Sequence, residues 1–356
     1  MSESAPPAAA PARARWLLPT LWALTTACLV VAFARIEWRG VAELIAAVHP
    51  ALLAAAVVAN FAIIPLWVLQ WKVFLPPAPS PSLRRLFEVI SIKSTVSNGG
   101  PPLAGHAAGV HLLATRGGAG WPAALSVLAL DQLTEGTAKV LLLAAVAAAA
   151  PMPDALRGVA LALGAGVGAL WAGMLTLARW PAGPSRPDGE SALGARGLRA
   201  RAQDVLAAAS RHLEALRHPG ILALGVALAL GMKAAELGGI LAVQWALGVK
   251  VGLGASLLVL ACVGLATMVS VTPANLGVYE ASAFAAYRLA GVDAEMATAL
   301  ALVQHVVFLV PVAGTGWALV TLRGVRGALV TGGGGSNGVR MGEPVRLGEG
   351  ATEPVE

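Results

Sequence analysis

SNGGPPLAGH, residues 97–106, is the stretch whose reading decides the fold. It follows apolar runs such as LLAAAVVANFAIIPLWVL (52–69) and precedes PAALSVLAL (122–130), both of which read as membrane. Two adjacent glycines, two adjacent prolines, an asparagine and a histidine are poor material for a lipid-facing helix. Breaking a helix inside a bilayer frees N–H and C=O groups that cost several kcal/mol each when left unpaired in hydrocarbon. Such a break persists only where it is buried in protein or lines a polar cavity. The alternative is a proline-kinked span with no ligand.

Composition supports the membrane reading. The chain has 356 residues, of which 57% are hydrophobic and 12% charged, with mean hydropathy +0.73. Too few polar residues are present to cover a soluble protein of this size. The apolar runs are continuous rather than alternating, which excludes a β-barrel and leaves an all-α polytopic membrane protein. Cys28 and Cys262 lie in apolar segments, so no disulfide framework is expected. The net charge of +6 comes mostly from arginines clustered between apolar runs, a sign of topology rather than nucleic-acid binding.

The pattern predicts about six full spans, at 16–34, 50–72, 121–149, 156–179, 219–247 and 294–322. The first follows Arg13 and Arg15 and is read as an uncleaved span rather than a signal peptide. Residues 1–15 and the tail from 324 are expected to be disordered, and 35–49 to form an amphipathic interfacial segment anchored by Trp38. Residues 180–218 form a basic connection whose second half, LRARAQDVLAAASRHLEALR, reads as an amphipathic surface helix. Placing both termini, the 76–85 turn and this connection in the cytoplasm leaves only Arg35, Arg39, Arg157 and Lys250 outside. Two broken regions, 86–115 and 253–290, then become re-entrant hairpins entering from opposite faces. The membrane halves are 16–179 and 219–323.

The broken regions also match each other at a fixed offset of 172: Pro101 with Pro273, Gly105 with Gly277, Arg116 with Arg288, and Gln132 with Gln304. Paired interrupted segments in halves of inverted topology point to a transporter-type site near the midplane. Half-helices starting after Gly105 and after Gly277 would aim N–H groups at that site and attract an anionic or phosphate-bearing lipid headgroup. Asn98, His106, Thr272 and Asn275 lie in the same breaks and join the candidate lining.

LALDQLTEGTAKV (128–140) spaces Asp131, Glu135 and Lys139 at i, i+4 and i+8, either as a polar cavity wall or as a self-neutralising ladder. Lys233 and Glu236 read as a structural pair between close-packed helices. Glu280 heads a half-helix and is the better cavity candidate, whereas Arg116 and Arg288 either bind phosphate or snorkel to the interface. His106, His111 and His305 do not have metal-site spacing, and no catalytic or cofactor motif occurs. No metal, no cofactor and no catalytic residue is therefore expected, and an enzyme is not the default.

With both motifs in hand, the chain resembles the transmembrane region of lysylphosphatidylglycerol synthases, a flippase-like family. The first motif of that family has Gly-Glu, then basic residues, then Glu-Arg-Leu-x-Asp on the next helix. Here these positions read Gly105–His106, Arg116 and DQLTE, Asp131 to Glu135. The second, Thr-Pro-Gly-Gly-Leu-Gly-x-x-Glu, reads TPANLGVYE, Thr272 to Glu280. His106 stands for the acid, Gln132 for the arginine and Ala274–Asn275 for the two glycines, which marks a divergent branch. The resemblance implies a multi-pass protein of the cytoplasmic membrane that moves a lipid, without the aminoacyl-transferase domain of bifunctional members. It leaves room for an oligomer, for a separate lipid-modifying enzyme as partner, and for roles in lipid or lipid-linked sugar biosynthesis or as a scaffold.

Overall fold

The structure, a computed structural model, describes residues 36–76, 80–100, 102–149, 154–179, 218–268, 270 and 272–332. The expected span at 16–34, Pro101, residues 180–217 of the basic connection and the tail from 333 lie outside them. Two compact units divide the chain, Met1–Leu319 and Val320–Glu356, and the clusters described below belong to the first.

Among the described residues every regular element is helical. The order is α1 (Trp38–Ala46), α2 (Pro50–Phe61), α3 (Ile63–Phe74), α4 (Leu83–Gly99), α5 (Pro102–Thr115), α6 (Trp121–Ala149), α7 (Asp154–Ala178), α8 (Pro219–Ala246), α9 (Leu253–Ala266), a 3₁₀ turn (Pro273–Asn275), α10 (Val278–Leu289) and α11 (Ala294–Gly332). Five segments are long and apolar enough to cross a membrane: Pro50–Phe74, Trp121–Ala149, Leu156–Leu177, Pro219–Ala246 and Ala294–Leu322. They coincide with the second to sixth expected spans. The first of the five is jointed at Ala62, because Pro65 has no N–H to offer the carbonyl of Phe61. The last helix runs to Gly332 rather than stopping at 323, because an isolated glycine weakens a helix without ending it.

Between the spans lie two helix pairs. α4 packs along α5, and α9 packs along α10. Their lengths of 17, 14, 14 and 12 residues correspond to about 18–26 Å, short of a bilayer core of roughly 30 Å. Neither pair is a continuous kinked helix: one is interrupted between Gly99 and Pro102, the other between Ala266 and Val278. The 3₁₀ turn of the second break packs against α4, so the second break meets the helix that leads into the first.

One apolar cluster joins α8, α9, α10 and α11 through Val243, Val259, Ala283 and Leu300, and another joins α3, α4, α5 and α6 through Trp71, Ile90, Leu113 and Leu130. Glycines set the closest approaches. A Cβ on Gly239 of α8 would stand 3.1 Å from Asn60 Cγ of α2, and one on Gly136 of α6 would stand 2.9 Å from Val167 of α7.

Candidate functional site

α4 buries polar side chains on two sides: Ser91, Ser94, Thr95 and Asn98 on one and Lys93 on the opposite one, in a helix that starts with Ser82 accepting a hydrogen bond from the N–H of Arg85. Asn98 Nδ2 donates to the Ser94 carbonyl at 2.8 Å, and Thr95 Oγ1 donates across to the Ala313 carbonyl of α11 at 2.6 Å. Gly105 does not begin the next half-helix, as the sequence suggested. That helix starts at Pro102, a residue suited to the first helical position because its missing N–H has no partner there anyway. Gly105 instead permits contact. A Cβ there would overlap Ser97 Oγ and stand 2.7 Å from Ser97 Cα, and one on Gly109 would meet Lys93 Cδ at 2.8 Å.

Lys93 organises the first cluster. Its ammonium is fully buried, 3.5 Å from Asp131 Oδ2 and 3.6 Å above the centre of the Trp67 ring. Trp67 Nε1 donates to Asp131 Oδ1 at 2.7 Å, and Gln132 Nε2 donates to Oδ2 at 3.3 Å. Sequence reasoning passed over Lys93, although a lone lysine inside an apolar segment is itself a signal, because such a charge is rare without a partner. His106, in the position of the family's acid, has a buried Nδ1 with no hydrogen-bond partner. Trp71 Nε1, Ser91 Oγ and Ser94 Oγ are in the same state.

Asp131, Glu135 and Lys139 do not form one ladder. Eight residues rotate a helical face by about 80°, so Asp131 turns to α4 while the other two turn to α8. Glu135 lies 3.1 Å from Lys139 and 3.4 Å from Lys233, and Lys233 lies 3.1 Å from Glu236. Two acids and two bases thus neutralise one another, and the pair on α8 is one half of a larger cluster. Beside it a crevice is lined by Lys139, Leu142 and Leu143 of α6, Lys233 of α8, and Leu260, Ala261, Gly264 and Leu265 of α9. Its walls are mostly greasy, with the two lysine stems at its edge leading to ammonium groups paired with Glu135 and Glu236. Of the residues singled out from the sequence, Lys139 and Lys233 line it.

At the second break, Ala274 and Asn275 both have φ of 55°, the left-handed region where the family's motif has two glycines. Asn tolerates that region, whereas Ala has no local compensation. Ala274→Gly is therefore expected to raise stability by about 1 kcal/mol, read as a higher unfolding midpoint of the purified protein; no change would remove the strain argument. Thr272 Oγ1 and Ser270 Oγ are 3.0 Å apart and buried, whereas Pro273 is exposed.

α10 does start after Gly277, whose φ of 83° suits only glycine. Its N-terminus is already occupied. Glu280 Oε2 accepts from the Gly277 N–H at 2.7 Å, and Oε1 lies 2.7 Å from His305 Nδ1. An anion at this helix end would meet a carboxylate, so the expected pair of anion-attracting helix ends is not formed here. The His305 ring stacks on Tyr279 with centroids 4.2 Å apart. Behind it runs a buried chain of hydrogen bonds. Gln304 Nε2 donates to Tyr279 OH at 3.0 Å, Tyr287 OH donates to Gln304 Oε1 at 2.8 Å, Gln244 Nε2 donates to Tyr287 OH at 3.1 Å, and Ser256 Oγ donates to Gln244 Oε1 at 3.0 Å.

The residues singled out from the sequence are thus distributed. Asp131 and Gln132 sit with Lys93; Glu135 sits in the four-charge cluster; Gly277, Glu280 and Gln304 sit with His305 and Tyr279. Arg288 Nη1 donates to the Val292 carbonyl at 2.7 Å and closes the turn after α10. Arg116 is exposed just beyond α5, away from these clusters. Among the described residues no group of three or more His, Cys, Asp or Glu is placed to hold a metal ion.

No curated protein and no solved structure matches the chain. The family profile described as the lysylphosphatidylglycerol synthase TM region matches residues 20–316, which include both breaks and all three polar clusters. With helices as the regular elements of its described residues, five membrane-length segments among them, two interrupted helix pairs and this match over most of its length, the chain belongs to the lysylphosphatidylglycerol synthase transmembrane-region family.

Proposed function

We propose that the protein carries a phospholipid or lipid-linked headgroup across the cytoplasmic membrane, alternating access between two inverted halves. The crevice between α6, α8 and α9 carries this reading. It lies where the first half meets the second, and it sets the paired charges of Lys139 and Lys233 with Glu135 and Glu236 beside a wall of Leu142, Leu143, Leu260 and Leu265, so that a phosphate would have to exchange for a carboxylate on a lysine.

The order of elements supports the inversion. Shifted by 172, Pro50–Phe74 falls on Pro219–Ala246, the α4–α5 pair on α9–α10, and Trp121–Ala149 on the last span. Three spans, α6, α7 and α8, separate the two helix pairs. Among the described residues that number is odd, which supports opposite faces for the two pairs, and the distribution of basic residues supports cytoplasmic termini. Cluster chemistry also fits, because buried charges inside a membrane bundle mark substrate or ion pathways.

Reconstitution into vesicles with headgroup-labelled phospholipid tests the proposal. Wild type is expected to expose inner-leaflet label to an external quencher. Gly264→Trp fills the crevice from a position where a Cβ meets nothing within 4 Å, and is expected to slow exposure at least about tenfold, or ~1.4 kcal/mol in barrier. Equal rates in protein-free vesicles and wild type would reject transport. Formation of a new lipid without movement would instead favour a membrane enzyme, and activity only with an added partner would favour a scaffold.

A further inference from the structure

We propose that Glu280 and His305 form a binding site for one exchangeable proton, and that this proton drives the carrier through its cycle. The inference rests on the transport reading above, but the proton site stands on its own geometry. Glu280 and His305 are in direct contact at 2.7 Å, and their side chains are only 11% and 4% exposed. Both Glu280 oxygens are engaged, one by His305 and one by the Gly277 N–H at the start of a half-helix. His305 makes this bond through Nδ1, and no hydrogen bond to its Nε2 is formed among the described residues. One proton therefore has a defined place to go. With Nδ1–H donating to Glu280, a proton arriving at Nε2 converts neutral imidazole and carboxylate into an imidazolium–carboxylate pair. The local charge changes from −1 to 0, and no other bond is made or broken.

The surroundings favour a proton over another cation. Tyr279 stacks flat on the imidazole, leaving no third oxygen ligand at that face. The titratable groups packed around the pair include Tyr279, stacked on His305, and Tyr287, linked to Tyr279 through Gln304, with Glu236 of α8 beyond them. Glu236 is held by Lys233, so it does not supply a competing acid to the imidazole. The chain from Gln304 to Ser256 holds Tyr279 in place, which makes Gln304 and Tyr287 positioning residues.

The two halves differ in the property that matters. The first break is backed by Lys93 and Asp131, which pair with each other, and its own imidazole, His106, has a buried Nδ1 without a hydrogen-bond partner. Imidazole is the side chain that ordinarily changes charge between pH 5 and 8. Position 133, which matches His305 at the offset of 172, is Leu133. A proton held by a carboxylate–imidazole pair at only one of two opposed half-membrane breaks biases one orientation of a two-state carrier over the other.

Histidine-selective nitrogen NMR of the full chain in detergent micelles, from pH 5 to 8.5, tests the site directly. The resonance that His305→Gln removes is expected to titrate as a single proton in wild type. In Glu280→Gln that response is expected to differ, because the imidazole loses its carboxylate partner. This second variant carries the test if His305→Gln does not fold. A His305 resonance that does not move over this range, or that titrates identically with and without the Glu280 carboxylate, overturns the site. Vesicles with an imposed pH gradient test the coupling: labelled-lipid movement is expected to change at least threefold with the gradient in wild type and to lose that response in His305→Gln. Lipid movement indifferent to the gradient overturns the coupling and leaves the carrier standing. A titrating His305 in a protein that moves no lipid overturns the carrier and the coupling together.

Discussion

Lys93→Met is expected to lower stability by about 3–5 kcal/mol, because it leaves the Asp131 carboxylate buried without its cation. Asp131 is 3% exposed and Lys93 fully buried, so solvent cannot take over the lost role. The remaining donors, Trp67 Nε1 and Gln132 Nε2, satisfy hydrogen bonds but not charge. The double variant Lys93→Met with Asp131→Asn is expected to recover most of the loss: the amide oxygen still accepts from Trp67, and no charge is left buried. Denaturant unfolding of the purified protein checks both. A loss below about 1 kcal/mol in the single variant would mean that water reaches the pair and that it behaves as a surface ion pair.

Gly316→Ala is the second large effect, at about 1–3 kcal/mol of destabilisation. A Cβ at Gly316 would overlap Thr95 Oγ1 and the Ser91 carbonyl oxygen, and would stand 2.9 Å from Ser91 C. The Ser91 carbonyl is helix backbone, so relief requires α4 to move away from α11, which stretches the hydrogen bond from Thr95 to Ala313. Gly314 on the same helix is the control, since a Cβ there meets nothing within 4 Å. Gly314→Ala is expected to be neutral or to stabilise by up to about 1 kcal/mol through helix propensity. Opposite signs two residues apart would establish that the first helix pair is seated on the last span by close contact. Equal signs would refute that.

The spans and the two interruptions were legible because both are local. Twenty apolar residues in a row mean a span whatever surrounds them, and Gly-Gly-Pro-Pro cannot continue a helix. Gly277 was legible for the same reason, its positive φ being a property of one residue. Gly105 was misread because its role depends on Ser97 across the hairpin, which no one-dimensional pattern displays. The i, i+4, i+8 acids and lysine looked like one face, but helical rotation sent them to different neighbours.

The amino-acid sequence by itself determined the class of molecule, the placement of five membrane-length segments and the two places where helices stop. These follow from hydrophobicity and from backbone chemistry that acts within a few residues. Only the tertiary structure decided which charges share a partner: Lys93 with Asp131, Glu135 with Lys139 and Lys233, and Glu280 with His305. Electrostatic pairing acts through space over a few ångströms, and the packing of α4, α6, α8 and α11 brings those atoms together. A carboxylate in a run of leucines announces that it needs a partner; which one it finds is settled by the helix against which it is packed.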